Sequence, residues 1–87
     1  MFYIYFLISE DKSKTYVGFT EHVYDRMELY HRKGKVRSTR SFGNFLVHII
    51  DTASNSIEAR RLEKYWKSKA GRNRLKKFFR IKYGPIV

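Results

Sequence analysis

The chain has 87 residues, with 19 Lys and Arg against 8 Asp and Glu, for a formal net charge of +11. One small domain is expected at this length, and the positive excess points to a polyanionic partner, nucleic acid before a membrane surface. The sequence has no cysteine, which excludes disulfides and thiolate metal sites, and no apolar run approaches the roughly 18 residues of a membrane span.

Phe2 to Ile8 is apolar throughout and rich in strand-forming residues. A period of two puts Phe2, Ile4, Phe6 and Ile8 on one face and Tyr3, Tyr5 and Leu7 on the other, which implies a strand covered on both sides. Ser9 to Lys14 reads as a turn, and Thr15 to Phe19 as the returning antiparallel strand, with Gly18 suited to a bend or a close backbone approach. Residues 21 to 32 read as a helix whose apolar stripe is Val23, Met27 and Tyr30, with Arg26 four residues before Tyr30 and Gly34 as a stop signal.

Residues 33 to 43 read as a basic loop. Phe45 to Ile50 is expected as a third strand, and residues 51 to 55 as a turn. A second helix starts near Ser56, with Asn55 as N-cap and Glu58 at the spacing of a capping box. Its stripe is Ala59, Leu62, Trp66 and Ala70. Gly71 is the expected break, followed by a short helix over Arg72 to Phe79 and a C-terminal tail over 80–87. The expectation is a single α/β (α+β) domain over 1–87, core about 2–79, with a small three-stranded antiparallel sheet flanked by helices.

The charge is unevenly placed. Five basic residues (Arg32, Lys33, Lys35, Arg37 and Arg40) fall in the loop region, and eleven lie between Arg60 and Lys82, where Glu63 is the only acid. A solvated surface ordinarily mixes the two signs. The histidines, His22, His31 and His48, show no helical i, i+4 pairing for a metal, and neither a Gly-x-Ser-x-Gly elbow nor a Walker-type loop is present. Tyr5, Tyr16, Arg26, Tyr30 and Glu63 remain. Phosphodiester hydrolysis needs a cation at the phosphate, for which an Arg fork is suited. It also needs a carboxylate for one divalent ion and a group that takes a proton from water. Each residue has a plainer role open to it. Glu63 can pair with Lys67 at i+4, Arg26 can bind phosphate without catalysis, and Tyr30 can be core.

Tyr3-Ile4-Tyr5, then Tyr16-Val17-Gly18 ten residues on, then Arg26 in one helix and Glu63 in a later one, resembles the GIY-YIG nuclease family. Glu58-Ala59-Arg60-Arg61-Leu62-Glu63-Lys64 is similar to the family's metal-binding helix. The likeness is to small stand-alone members and to the N-terminal nuclease domain of the C component of excinuclease ABC. Tyr3 replaces the first glycine, Phe19 stands in place of a lysine, and His22 replaces the common Asn or Asp. His31 is one residue past the usual His position, so a one-residue shift would exchange it with Tyr30.

The resemblance implies a divalent-metal-dependent DNA endonuclease, in repair or recombination. Tyr5 and Tyr16 would line the site, Arg26 would contact the scissile phosphate, Tyr30 would hold the helix position, and Glu63 would bind one Mg²⁺ or Mn²⁺. Arg32, Lys33, Lys35, Arg37, Arg40 and Lys67 are the expected DNA-binding residues. The expected partner is DNA, branched or damaged, with a further protein for targeting. A cytoplasmic location fits the lack of cysteine and of a basic leader. The alternative is a non-catalytic basic DNA/RNA-binding module, held by charge and stacking.

Overall fold

The most apolar strand takes the centre of the sheet. In the computed structural model, which describes residues 1–86, β1 (Phe2–Ile8) pairs antiparallel with β2 (Thr15–Thr20) and with β3 (Leu46–Ala53), in the order β2-β1-β3. Both faces of β1 are covered, as its unbroken apolar run requires. Ile4, Phe6 and Ile8 enter one core with Val17, Ala59, Trp66, Leu75 and Phe79. Tyr5 and Leu7 enter a second, with Met27, Phe42 and Phe45. The period-two division of β1 is thus the division of the whole molecule into two half-cores.

The turn from β1 to β2 is tied by Asp11, whose carboxylate accepts from the Ser13 hydroxyl and amide and from the Ser9 hydroxyl. Those bonds, Ser13 foremost, hold the carboxyl down at about 2. β3 begins one residue later than the apolar pattern suggests and runs on through Asp51 and Thr52, which composition marks as turn. The reason is a bulge. Ile4 pairs with Asp51 while Tyr5 pairs with Ile49, so Ile50 is an extra residue that resets the alternation. Asp51 is then held from the helix that follows β3, where its carboxylate accepts from Trp66 Nε1 at 3.2 Å.

The segment expected as a regular helix over 21–32 is an α-helical turn, α1 (Val23–Arg26), running into a π-helical turn, Met27–His31. The Arg32 amide donates to Met27 O at 2.9 Å, five residues back, and the Lys35 amide repeats the pattern onto Tyr30 O. A π turn holds one more residue than an α turn. The inward stripe therefore passes from Val23 and Met27 to His31, and Tyr30 turns out to solvent.

α2 (Ser56–Lys67) starts where expected, with Asn55 Oδ1 accepting from the Glu58 amide at 2.8 Å. It ends at Ser68, not at Gly71. Ser68 has extended backbone, and its hydroxyl oxygen accepts from the Gly71 amide at 3.3 Å, so it caps the next helix. That helix, α3 (Lys69–Tyr83), is longer than the expected 72–79 and absorbs the first residues of the supposed tail. Its last turn is held by packing that tail composition does not announce. Tyr83 stacks on Phe79, and its hydroxyl meets His48 Nε2 at 2.7 Å. Ala70, expected in the buried stripe, is exposed on α3. No helix among the described residues is long and apolar enough to cross a membrane.

Gly71 has a different use from a break. A Cβ there would collide with the Tyr65 carbonyl and with the Trp66 backbone, 2.6 Å from its Cα, so the missing side chain sets how closely α3 folds back on α2. Gly71→Ala is expected to lower unfolding stability by about 1–3 kcal/mol, the usual range for an overpacked site. Urea denaturation would measure it, and an unchanged midpoint would contradict the close packing.

Candidate active site

β1 and β2 place Tyr5 opposite Gly18. A Cβ on residue 18 would lie 2.5 Å from the Tyr5 hydroxyl oxygen and 3.0 Å from the Tyr16 ring. Glycine therefore leaves the space through which the Tyr5 ring crosses the neighbouring strand. The two tyrosine rings stand 6.2 Å apart, and both approach the His31 ring, at 5.5 Å for Tyr5 and 5.4 Å for Tyr16.

The π turn supplies that histidine. His31 is 3% exposed, and its Nε2 lies 2.8 Å from the Tyr5 hydroxyl. On its other side Nδ1 lies 2.8 Å from Oγ1 of Thr39, which is 2% exposed. The Thr39 hydroxyl itself donates to Val36 O at 3.3 Å. Thr39 Oγ1 is thus left to accept, His31 carries its proton on Nδ1, and Nε2 accepts from Tyr5. A directed chain of donors runs from Tyr5 through His31 and Thr39 to the backbone.

The protonation states agree with this order. Burial, aided by the charge of Tyr16 when ionised, pushes the Tyr5 hydroxyl well above its ordinary value, with Glu63 adding and Arg26 opposing. Burial, then the Arg26 guanidinium, pulls His31 down to about 4. Tyr5 is a neutral phenol and His31 a neutral imidazole at physiological pH. Arg26 and Glu63 lie on different helices, yet both act on the Tyr5 hydroxyl.

The cationic and acidic residues surround this centre. The Arg26 guanidinium lies 4.7 Å from the centre of the Tyr30 ring, which is 44% exposed. Glu63 Oε2 pairs with Lys67 Nζ at 3.3 Å, and Lys67 stands 5.4 Å over the Tyr16 ring. α2 and the π turn belong to different half-cores, and Lys67 of one and His31 of the other both approach Tyr16 on β2, an edge strand. The basic loop residues are exposed. Arg32 pairs with Glu28 at 2.9 Å and covers Phe45, Arg40 donates from Nε to Gly34 O at 3.0 Å, and Lys35 lies 5.9 Å from the Tyr30 ring.

Tyr5, Tyr16, Arg26 and Glu63 are therefore brought to one place, while Tyr30 flanks Arg26 from outside and His31 takes the position beside Tyr5. Thr39 escapes sequence reading altogether. It sits in a polar loop, and nothing local marks its side chain as buried.

Glu63 offers one partly exposed carboxylate, and the described residues contain no cluster of three or more His, Cys, Asp or Glu. A single hard oxygen donor suits Mg²⁺, which needs one or two carboxylates and keeps several waters.

Held near 4 in the fold against an ordinary 6.5, His31 binds its proton between those values only when the chain unfolds. Its contribution to stability is complete above pH ~6.5 and is lost as pH falls through about 4. Burial, with Lys82, lowers His48 in the same direction. The thermal midpoint should therefore drop as pH falls across this window, and His31→Gln should flatten part of that slope. An identical slope in the variant would contradict the buried neutral imidazole.

A family model described as the GIY-YIG catalytic domain matches residues 1–77. No curated protein and no solved structure matches the chain. The match covers most of the sequence and spans every residue of the centre just described, and the chain belongs to the GIY-YIG catalytic domain family, a family of nucleases.

Proposed function

We propose that the chain is a divalent-metal-dependent endonuclease that hydrolyses phosphodiester bonds of DNA, in repair or recombination, in the cytoplasm. In this reading it is a counterpart of the N-terminal nuclease domain of the C component of excinuclease ABC. The observation that carries the proposal is the cluster around His31: its imidazole bonds the buried Tyr5 hydroxyl and lies 5.4 Å from the Tyr16 ring, over which Lys67, the partner of Glu63, is placed.

The roles follow from exposure and charge. Tyr16, half-buried on β2, faces the attacking water, with the Lys67 ammonium 5.4 Å over its ring. Tyr5 is buried and held neutral, so it does not take the water's proton. Its hydroxyl donates to His31 Nε2. His31 keeps Tyr5 oriented, and Thr39 keeps His31 in one tautomer.

Arg26 contacts the scissile phosphate, where its fork meets two oxygens. Tyr30 positions Arg26 through its ring face. Glu63 would hold the Mg²⁺ or Mn²⁺ ion, whose chemistry when bound would be Lewis-acid polarisation of the phosphate and stabilisation of the leaving oxygen. As the water oxygen bonds to phosphorus, the bond to the leaving oxygen breaks opposite, and the Tyr16 hydroxyl oxygen takes the water's proton while its own proton passes to a phosphate oxygen, so that Tyr16 ends neutral. Arg32, Lys33, Lys35, Arg37 and Arg40 hold the backbone electrostatically, which positions DNA without reading its sequence.

Arg26→Ala and Glu63→Ala are each expected to lower cleavage of supercoiled or branched DNA in Mg²⁺ by about 10² or more, with most DNA binding retained. Plasmid nicking beside a gel-shift assay measures both. Equal cleavage by Glu63→Ala and the parent protein would contradict the metal assignment. Salt-sensitive binding with no cleavage of any substrate would favour the basic binding module.

A further inference from the structure

The two cationic stretches, 32–40 and 60–82, are distant in sequence, but one groove joins them. It has a volume of about 470 Å³ and opens beside Tyr16. Lys67, Arg72 and Lys76 line it from α2 and α3, Ser38 lines it from the basic loop, and Leu75 contributes apolar floor. No carboxylate is among its lining residues. Arg72 and Lys76 are exposed, and among the described residues neither forms an ion pair. Two unpaired cations in a concave, acid-free trough raise the local potential for an anion more than the same charges on a flat surface.

We infer that this groove is a subsite for a flanking phosphate of the nucleic-acid strand, one or two residues from the bond that is cut. The inference rests on the reading of Tyr16 as part of a phosphodiester-cleaving centre, because Tyr16 is the wall common to both. A strand whose scissile phosphate lies at Arg26 and Tyr16 continues past the Tyr16 ring into the groove. There Arg72 and Lys76 take the next phosphates, the Ser38 hydroxyl donates to a backbone oxygen, and the sugar rests on Leu75. Free nucleotides and single phosphates fill only part of this path, so the substrate class is a polynucleotide strand with intact backbone beyond the cut.

The other cations of α3 give an internal control. Lys77 and Lys82 line a separate groove with His48, Phe78 and Ile81. The double variants Arg72→Ala/Lys76→Ala and Lys77→Ala/Lys82→Ala remove equal charge. Binding of a duplex oligonucleotide is measured against salt concentration without divalent metal. Each phosphate contact contributes about 0.9 to the slope of log K against log salt. The Arg72/Lys76 variant is expected to lose about 1.8 of that slope, and the Lys77/Lys82 variant less than about half as much.

On a duplex that the parent protein cuts, a single neutral methylphosphonate at the flanking position should raise KM roughly tenfold with kcat little changed. The same replacement should cost the Arg72/Lys76 variant almost nothing more. Equal slope losses in the two double variants would overturn the subsite, as would a methylphosphonate penalty undiminished in Arg72→Ala/Lys76→Ala. Absence of cleavage by the parent protein would defeat the nuclease reading instead, while the salt measurement would still decide the groove.

Discussion

The site depends on one buried hydrogen bond, between the Tyr5 hydroxyl and His31 Nε2 at 2.8 Å. A phenol and an imidazole in a core are costly unless each polar atom is partnered. Both are partnered here, and no buried side-chain polar atom among the described residues lacks a hydrogen bond. Satisfying that bond shapes much of the surrounding chain. Gly18 must lack a Cβ for the Tyr5 ring to pass, the helix must widen into a π turn for His31 to face inward, and the basic loop must fold under to bring Thr39 to Nδ1. These are separate distortions of ordinary strand, helix and loop, and they serve one polar contact.

The same contact separates two tyrosines that look alike in sequence. Tyr5 is sealed in with a neutral histidine, while Tyr16 remains partly open on the edge strand under a lysine. Burial raises the hydroxyl of one, and cationic company attends the other. The division suits a domain with so few acids. Glu63 is the only carboxylate between residues 60 and 82, and it stands next to the ring that faces solvent, with Lys67 between them. Positive charge then flanks the centre on the loop side and on the α3 side, and draws a polyanion towards it.

Much of this was readable in the residues. The unbroken apolar run of Phe2 to Ile8 requires a central strand covered on both faces, and the two half-cores divide as its period of two dictates. Asn55 caps α2 as its side chain and spacing suggest. What escaped depended on tertiary packing. The helical period of 21–32 points Tyr30 inward, and only the five-residue hydrogen bond of a π turn hands that place to His31. The bulge at Ile50 carries β3 past the polar residues that look like its end. Ser68 and not Gly71 separates the last two helices, because Gly71 is needed for close approach and Ser68 for a cap. Thr39 and the groove cations gain their meaning from neighbours far away in the chain, so no local pattern marks them.

The most direct measurement is the protonation and tautomer of His31 by nitrogen-15 NMR of the imidazole at neutral pH. A neutral ring is expected, with its proton on Nδ1 and with Nε2 accepting from Tyr5. An imidazolium, or a neutral ring protonated on Nε2, would contradict the donor chain that runs from Tyr5 through His31 to Thr39 and holds the site together.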